Sequence, residues 1–138
     1  MILLHIIVCV DDRNGISFCG RRLSRDRVQI TKMLELVANS RLYVSSYTAK
    51  LFENPPSNLI VCDDYLTVAE ENDYCFAENG DFMNNPDKIE DIIIYRWNKK
   101  YPFDVGLAYS VLSTRRCVSV KEFVGNSHVR ITEEVMKK

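Results

Sequence analysis

Histidine is nearly absent: the 138 residues hold two, His5 and His128, far apart in the chain. A two-zinc hydrolase needs a histidine-rich cluster such as H-x-H-x-D-H, so that chemistry is excluded. Glycine is scarce as well, with five residues and no Gly-Gly pair. The five cysteines, at positions 9, 19, 62, 75 and 117, are an odd number without C-x-x-C spacing. Neither a disulfide framework nor a zinc site is indicated, and free thiols imply a reducing, cytoplasmic setting. Cys9, Cys62 and Cys75 lie in apolar strand-like runs and read as small hydrophobes. Cys19, in a turn-rich basic segment, is either inert or the one reactive thiol. No apolar run approaches the length of a membrane span. Met1 to Val10 is apolar but lacks a basic start and a small-residue cleavage site. It runs into Asp11 and Asp12, so it reads as a first strand rather than a signal peptide.

What is present fits a single α/β domain. Hydrophobic content of 46% and charged content of 27% are ordinary for a globular chain. Ile92, Ile93, Ile94, Tyr95 and Trp97 form the longest bulky run, which predicts a strand buried on both faces. Ile30, Met33, Leu34 and Val37 fall at i, i+3, i+4 and i+7, with Val28 and Leu36 beside them. They predict an amphipathic helix over 25–38, with Ser24 as its N-cap and Asp26 in its first turn. Further strands are expected at 2–10, 42–44, 59–62 and 74–77. Short helical pieces are expected after Ser45 or Ser46 and around 65–71. Asn14-Gly15 and Gly125-Asn126 mark turns, and Ile16 to Arg22 reads as a loop or short extended piece. Residues 110–120 contain β-rich pieces. The C-terminal stretch 131–138 reads as a helix by propensity, with a last strand as the other possibility. Strand, helix, strand, short helix, strand calls for parallel pairing, and an antiparallel C-terminal part makes the sheet mixed but mostly parallel, flanked by helices.

Charge is unevenly spread. Residues 1–52 carry eight basic and four acidic side chains, 53–91 carry one and eleven, and 92–138 carry nine and four. The balances are therefore +4, −10 and +5. Opposed faces that steer partners, or a mixed surface, would both follow from this pattern.

Several stretches resemble dihydrofolate reductases. IIVCVDDRNGI over 6–16 is similar to that family's first strand and the loop after it. Residues 23–52 follow its plan of helix, strand and short helix, and Asn58 to Cys62 resembles the next strand. Tyr101-Pro102-Phe103-Asp104 resembles the region entering the final hairpin. The resemblance implies a reduced dihydrofolate reductase-like fold, with Asp26 at the place of the family's first-helix carboxylate. It also implies a Gly-Gly element where the backbone meets a dinucleotide pyrophosphate. Only Gly80 stands in the corresponding interval, so a relict reductase is the weakest functional reading. The chain is also similar to a small bacterial family often labelled ribonuclease Z. That likeness rests on Val10-Asp11-Asp12, the Arg21 to Arg27 element, Tyr95 to Asp104, and Glu122 to His128.

Four constellations are candidates for function. Arg21, Arg22, Arg25 and Arg27 crowd a predicted helix N-terminus. They form either a solvated basic face or, with the free backbone N–H groups, an anion site. Asp11, Asp12, Asp63 and Asp64 follow apolar strands. They are either turn and cap residues or, if the strands are neighbours, a Mg²⁺ site at the sheet's carboxyl edge. Ser127 and His128 place a hydroxyl beside an imidazole with no evident acid partner, and Ser127 also reads as a cap. Tyr95, Trp97, Tyr101 and Phe103 beside Arg96, Lys99 and Lys100 are either core or a base-stacking or protein-binding edge. The favoured expectation is a non-catalytic cytoplasmic binding protein without a cofactor. Its ligand would be anionic: a nucleotide, a nucleic acid or an acidic protein surface, held by the four arginines. A Mg²⁺-dependent phosphate enzyme or nuclease, and an inhibitor or scaffold subunit working through protein contacts, are the alternatives.

Overall fold

Two strands carry the core of the computed structural model, which describes residues 3–138. The expected start of the first strand at Ile2 lies outside them. Strand β1 (Leu4–Val10) and the Ile92–Tyr95 run, now the interior of a strand Ile89–Arg96, pair in parallel at the sheet centre. Side chains alternate between sheet faces with period two, and here both faces are covered. Ile6, Val8, Val10, Ile92 and Ile94 therefore enter one core cluster, while Ile7, Ile93, Tyr95 and Trp97 enter the other.

The chain leaves β1 through a turn in which Asn14 takes a left-handed conformation (φ 65°). It forms a hairpin of β2 (Gly15–Phe18) and β3 (Arg21–Arg22). Its two loop residues, Cys19 and Gly20, have φ of 51° and 74°. Two consecutive positive values suit the twist of a two-residue hairpin. Helix α1 (Arg27–Leu36) follows, and then β4 (Leu42–Val44), α2 (Ser46–Ala49), β5 (Leu59–Val61), α3 (Tyr65–Val68) and β6 (Tyr74–Ala77). The central strand is β7 (Ile89–Arg96). After it come β8 (Val105–Gly106), α4 (Tyr109–Leu112), β9 (Arg116–Phe123) and β10 (Ile131–Lys137).

The main sheet has the order β5-β4-β6-β1-β7-β10-β9, and β2 forms a small second sheet with β3 and β8. Within the main sheet only β10 runs against its neighbours. The fold is thus the expected mixed, mostly parallel α/β sheet. The expected stripe of α1 faces it: Met33 and Val37 are fully buried and Ile30 and Leu34 partly so. Phe82, Tyr65 and Val111 cover the other face. No helix of the described residues is long and apolar enough to cross a membrane.

Two expectations are corrected. The cap of α1 is Asp26, whose carboxylate accepts from the Val28 and Gln29 amides; Ser24 lies outside the helix. Both residues are good caps, and a two-residue shift does not change the apolar stripe. The C-terminal stretch is a strand. Its helix-forming Glu133 and Glu134 find partners in the sheet: the Tyr95 hydroxyl donates to Glu133 (2.8 Å) and Arg96 pairs with Glu134 (2.7 Å). Pairing on both sides overrides weak local propensity.

Candidate functional site

The N-terminus of α1 is where three distant segments meet. The Asp26 carboxylate is buried and accepts from more than its own helix. Oδ1 takes the Val28 amide (2.9 Å), the Gln29 amide (3.3 Å) and the Asn126 amide (2.9 Å). Oδ2 takes the Ser127 amide (2.8 Å), the His128 amide (3.1 Å) and His128 Nδ1 (3.0 Å). Burial works against the charge, but the Asn126, His128, Ser127 and Gln29 donors outweigh it. The carboxyl is held well below the usual carboxylate range. Gly125 permits this approach: a Cβ there would stand 2.6 Å from Asp26 Oδ2 and 2.7 Å from the His128 carbonyl.

The far side of the His128 ring faces two hydroxyls. Nε2 lies 3.0 Å from Tyr101 OH and 3.2 Å from Ser24 Oγ, and those two oxygens are 3.3 Å apart. The ring stacks on Trp97 at 4.5 Å between centroids. The acid partner that sequence could not supply is therefore Asp26; the hydroxyls at Nε2 are those of Tyr101 and Ser24, and Ser127 Oγ lies 3.4 Å from Nδ1. Ser127 Oγ donates to the Arg25 carbonyl (2.8 Å) and also lies 3.2 Å from Asp26 Oδ2, tying the loop to the segment before α1.

Beside this cluster runs a cleft of about 1080 Å³. Ile30, Leu34, Leu51 and Phe52 give it an apolar wall; Ser24, Arg25 and Arg27 stand among its polar lining. Arg25 and Arg27 form no ion pair among the described residues. The other two arginines of the basic element behave differently. Arg21 is exposed on the hairpin, where it pairs with Phe18. Arg22 forks onto Glu78 with contacts of 2.7 and 2.9 Å and lies 4.3 Å over the Tyr47 ring. Arg22 nonetheless lines the same cleft as Arg25 and Arg27, so three of the four arginines share it, while Arg21 stands apart; the α1 amides Val28 and Gln29 are already occupied by Asp26. The acidic middle segment supplies the compensation, through Arg22–Glu78 and through Arg41 with Glu70 and Asp73.

The four aspartates do not meet. Asp11 is buried and accepts from the Arg13, Gly15 and Tyr101 amides at 2.9, 2.7 and 3.1 Å. It organises the turn after β1, while Asp12 is exposed. Asp63 follows β5, three strands away from β1 in the sheet order, which at standard strand spacing is about 14 Å. It accepts from the Ser46 amide (2.8 Å) and hydroxyl, which hold it below the usual carboxylate range. Asp64 begins α3 without a side-chain cap bond. Among the described residues no three His, Cys, Asp or Glu side chains converge to hold a metal ion.

The aromatic strand is not an edge. Tyr95 is fully buried, Trp97 is 3% exposed, and β7 lies between β1 and β10. Arg96 is held by Glu134 and by Asn14 Oδ1, at 2.7 Å each. Lys99 and Lys100 are exposed, and Tyr101 is half-buried against His128. Burial pushes the Cys9 thiol up and the Cys75 thiol up to about 12. Cys19 is exposed, its amide donating to Asp104 (3.1 Å).

No protein-family model and no curated protein matches the sequence. Among solved structures, a dihydrofolate reductase from Enterococcus faecalis, complexed with NADP(H) and RAB-propyl, has the same architecture. Its TM-score is 0.68, over 98% of this chain and 95% of that chain. Sequence identity is 10%, so the likeness is one of fold: the chain has a dihydrofolate reductase-like fold.

Proposed function

We propose that this chain is a binding protein for an amphiphilic anion of nucleotide size, held in the cleft along α1. The observation that carries this is the pairing of two kinds of wall. Arg25 and Arg27, unpaired with any acid among the described residues, stand beside an apolar surface of Ile30, Leu34, Leu51 and Phe52. Guanidinium groups would fork onto a phosphate or carboxylate, and the apolar wall would take a ring or chain. Glu53 also lines the cleft and disfavours an anion at its own position. Arg21 remains a peripheral charge, and Arg22 serves the fold through Glu78.

A dinucleotide suits these residues poorly. At the carboxyl end of β6, beside β1, Glu78 directly follows the strand, where the resemblance calls for a glycine pair. Its carboxylate, held by Arg22 and Thr48, would oppose a pyrophosphate. Asp26, already accepting from six N–H groups, has no free lone pair for a pterin-like ring. Neither the cofactor nor the ring of a reductase fits the residues present, so no reductase step is assigned to them.

Thermal shift with mononucleotides, inorganic phosphate, NADPH, short oligonucleotides and an acidic peptide tests the reading. A ligand at a hundred times its Kd adds about 2.7 kcal/mol. At roughly 2–4 °C per kcal/mol that is a rise of about 5–11 °C. A rise with mononucleotides that disappears in Arg25→Glu/Arg27→Glu supports the cleft. A rise with NADPH that survives this double substitution would overturn it.

A further inference from the structure

Beyond binding, we infer that Ser24 is an activated nucleophile, with His128 as its general base and Asp26 as the residue that orients the imidazole. The Asp26 carboxylate faces Nδ1 at 3.0 Å and also accepts the His128 amide, which fixes the ring and its tautomer. A proton on Nδ1 leaves the Nε2 lone pair facing Ser24 Oγ at 3.2 Å. The Tyr101 hydroxyl stands 3.0 Å from Nε2 and 3.3 Å from Ser24 Oγ; by donating to Ser24 Oγ it directs the serine's own proton towards Nε2. Trp97 stacks on the ring, which is buried. These are the roles of a serine–histidine–aspartate relay, recognised by geometry and not by order in the chain.

Ser24 and Asp26 line the cleft together with Ile30, Leu34 and Phe52. The Arg25 amide, next after the nucleophile, has no hydrogen-bond partner among the described residues and is a donor for a developing oxyanion. The substrate class is a carboxylic ester with an apolar acyl group. Ser24 Oγ bonds to the carbonyl carbon as its proton passes to His128 Nε2. The carbon–oxygen bond to the alcohol breaks, and the alcohol leaves with that proton. Water then attacks the acyl-serine by the same route, releasing the acid and restoring Ser24.

A neutral fluorophosphonate probe and p-nitrophenyl butyrate test this without using the arginines, so the outcome is separate from that of the binding reading. General-base assistance is worth about 10²–10⁴-fold. Ser24 should therefore be labelled at least about 100-fold faster than other serines in the protein, by peptide mass spectrometry. Ester turnover should be lost in Ser24→Ala. Ser24→Cys gives a second readout, with the exposed Cys19 and Cys117 as comparators in the same molecule. Its new thiol should be alkylated about tenfold or more faster than either, as a base-assisted thiolate is. No preference for Ser24 with the probe, together with alkylation no faster than at Cys19 and Cys117, overturns the assignment.

Discussion

Asp26→Asn isolates what one oxygen does. The amide oxygen, placed where Oδ1 stands, keeps the bonds from Val28, Gln29 and Asn126. The amide nitrogen then faces the Ser127 amide, the His128 amide and His128 Nδ1, where Oδ2 accepted all three. His128 can relieve one clash by moving its proton to Nε2, so that Nδ1 accepts. The two backbone amides have no such escape. Ser127 is exposed and can turn to water at a cost of about 1 kcal/mol; the His128 amide is buried and stays unpaired, at about 2 kcal/mol. Losing the negative charge at the helix N-terminus adds about 0.5–1 kcal/mol. The sum is about 3.5–4 kcal/mol, a large part of the roughly 5–15 that a domain has. Urea denaturation at pH 7, with an unchanged m-value, is the assay. A loss below about 1 kcal/mol would refute the account of Asp26 as the staple between α1 and the 125–128 loop. The same tautomer shift would place a proton on Nε2, so a folded Asp26→Asn protein should also lose Ser24 labelling.

Arg22→Met should cost about 2–3 kcal/mol, because it leaves Glu78 mostly buried beside Thr48 without its cation. Arg22→Met/Glu78→Gln should recover part of that loss, and additive losses in a double-mutant cycle would refute the coupling. Gly125→Ala should lower stability by about 1–3 kcal/mol, since the added methyl must displace the His128 carbonyl or Asp26. A melting temperature within a degree of the parent would show that the loop is looser than its contacts imply.

The elements that sequence made legible are those whose signal is local. The isoleucine run of β7 is continuous because both faces are covered, and the α1 stripe repeats with the helix because one face is. Both can be read from neighbours in the chain. β10 cannot, since Glu133 and Glu134 are helix formers until Tyr95 and Arg96, 38 residues away, supply their partners. The site followed the same rule. The segments around Arg21–Arg27, Tyr95–Asp104 and Glu122–His128 each stood out. Their meeting depended on pairings across 102 residues for Asp26–His128 and 77 for Ser24–Tyr101. Arg22 looked like a free surface cation for the same reason: Glu78 lies 56 residues on. Asp11 and Asp63 looked like a metal pair because strand order, which separates them by β6 and β4, is not written in either strand.

The acid limb of stability carries the sharpest consequence of Asp26. Its folded-state pKa lies below the ordinary carboxylate value, because the native donors favour the charged form. The stabilisation is then fully present above the unfolded value of about 3.9 and is lost as pH falls through the lower folded value. The gap between the parent protein and Asp26→Asn should hold steady from pH 7 to about pH 5 and close progressively below about pH 4. Asp63, also held low by Ser46, sharpens the acid limb of both proteins equally and drops out of the difference. A gap that instead widens on acidification would mean that Asp26 is stabilised in its protonated form. The hydrogen bonds from Asn126, Ser127 and His128 would then not be what holds the α1 terminus to the loop.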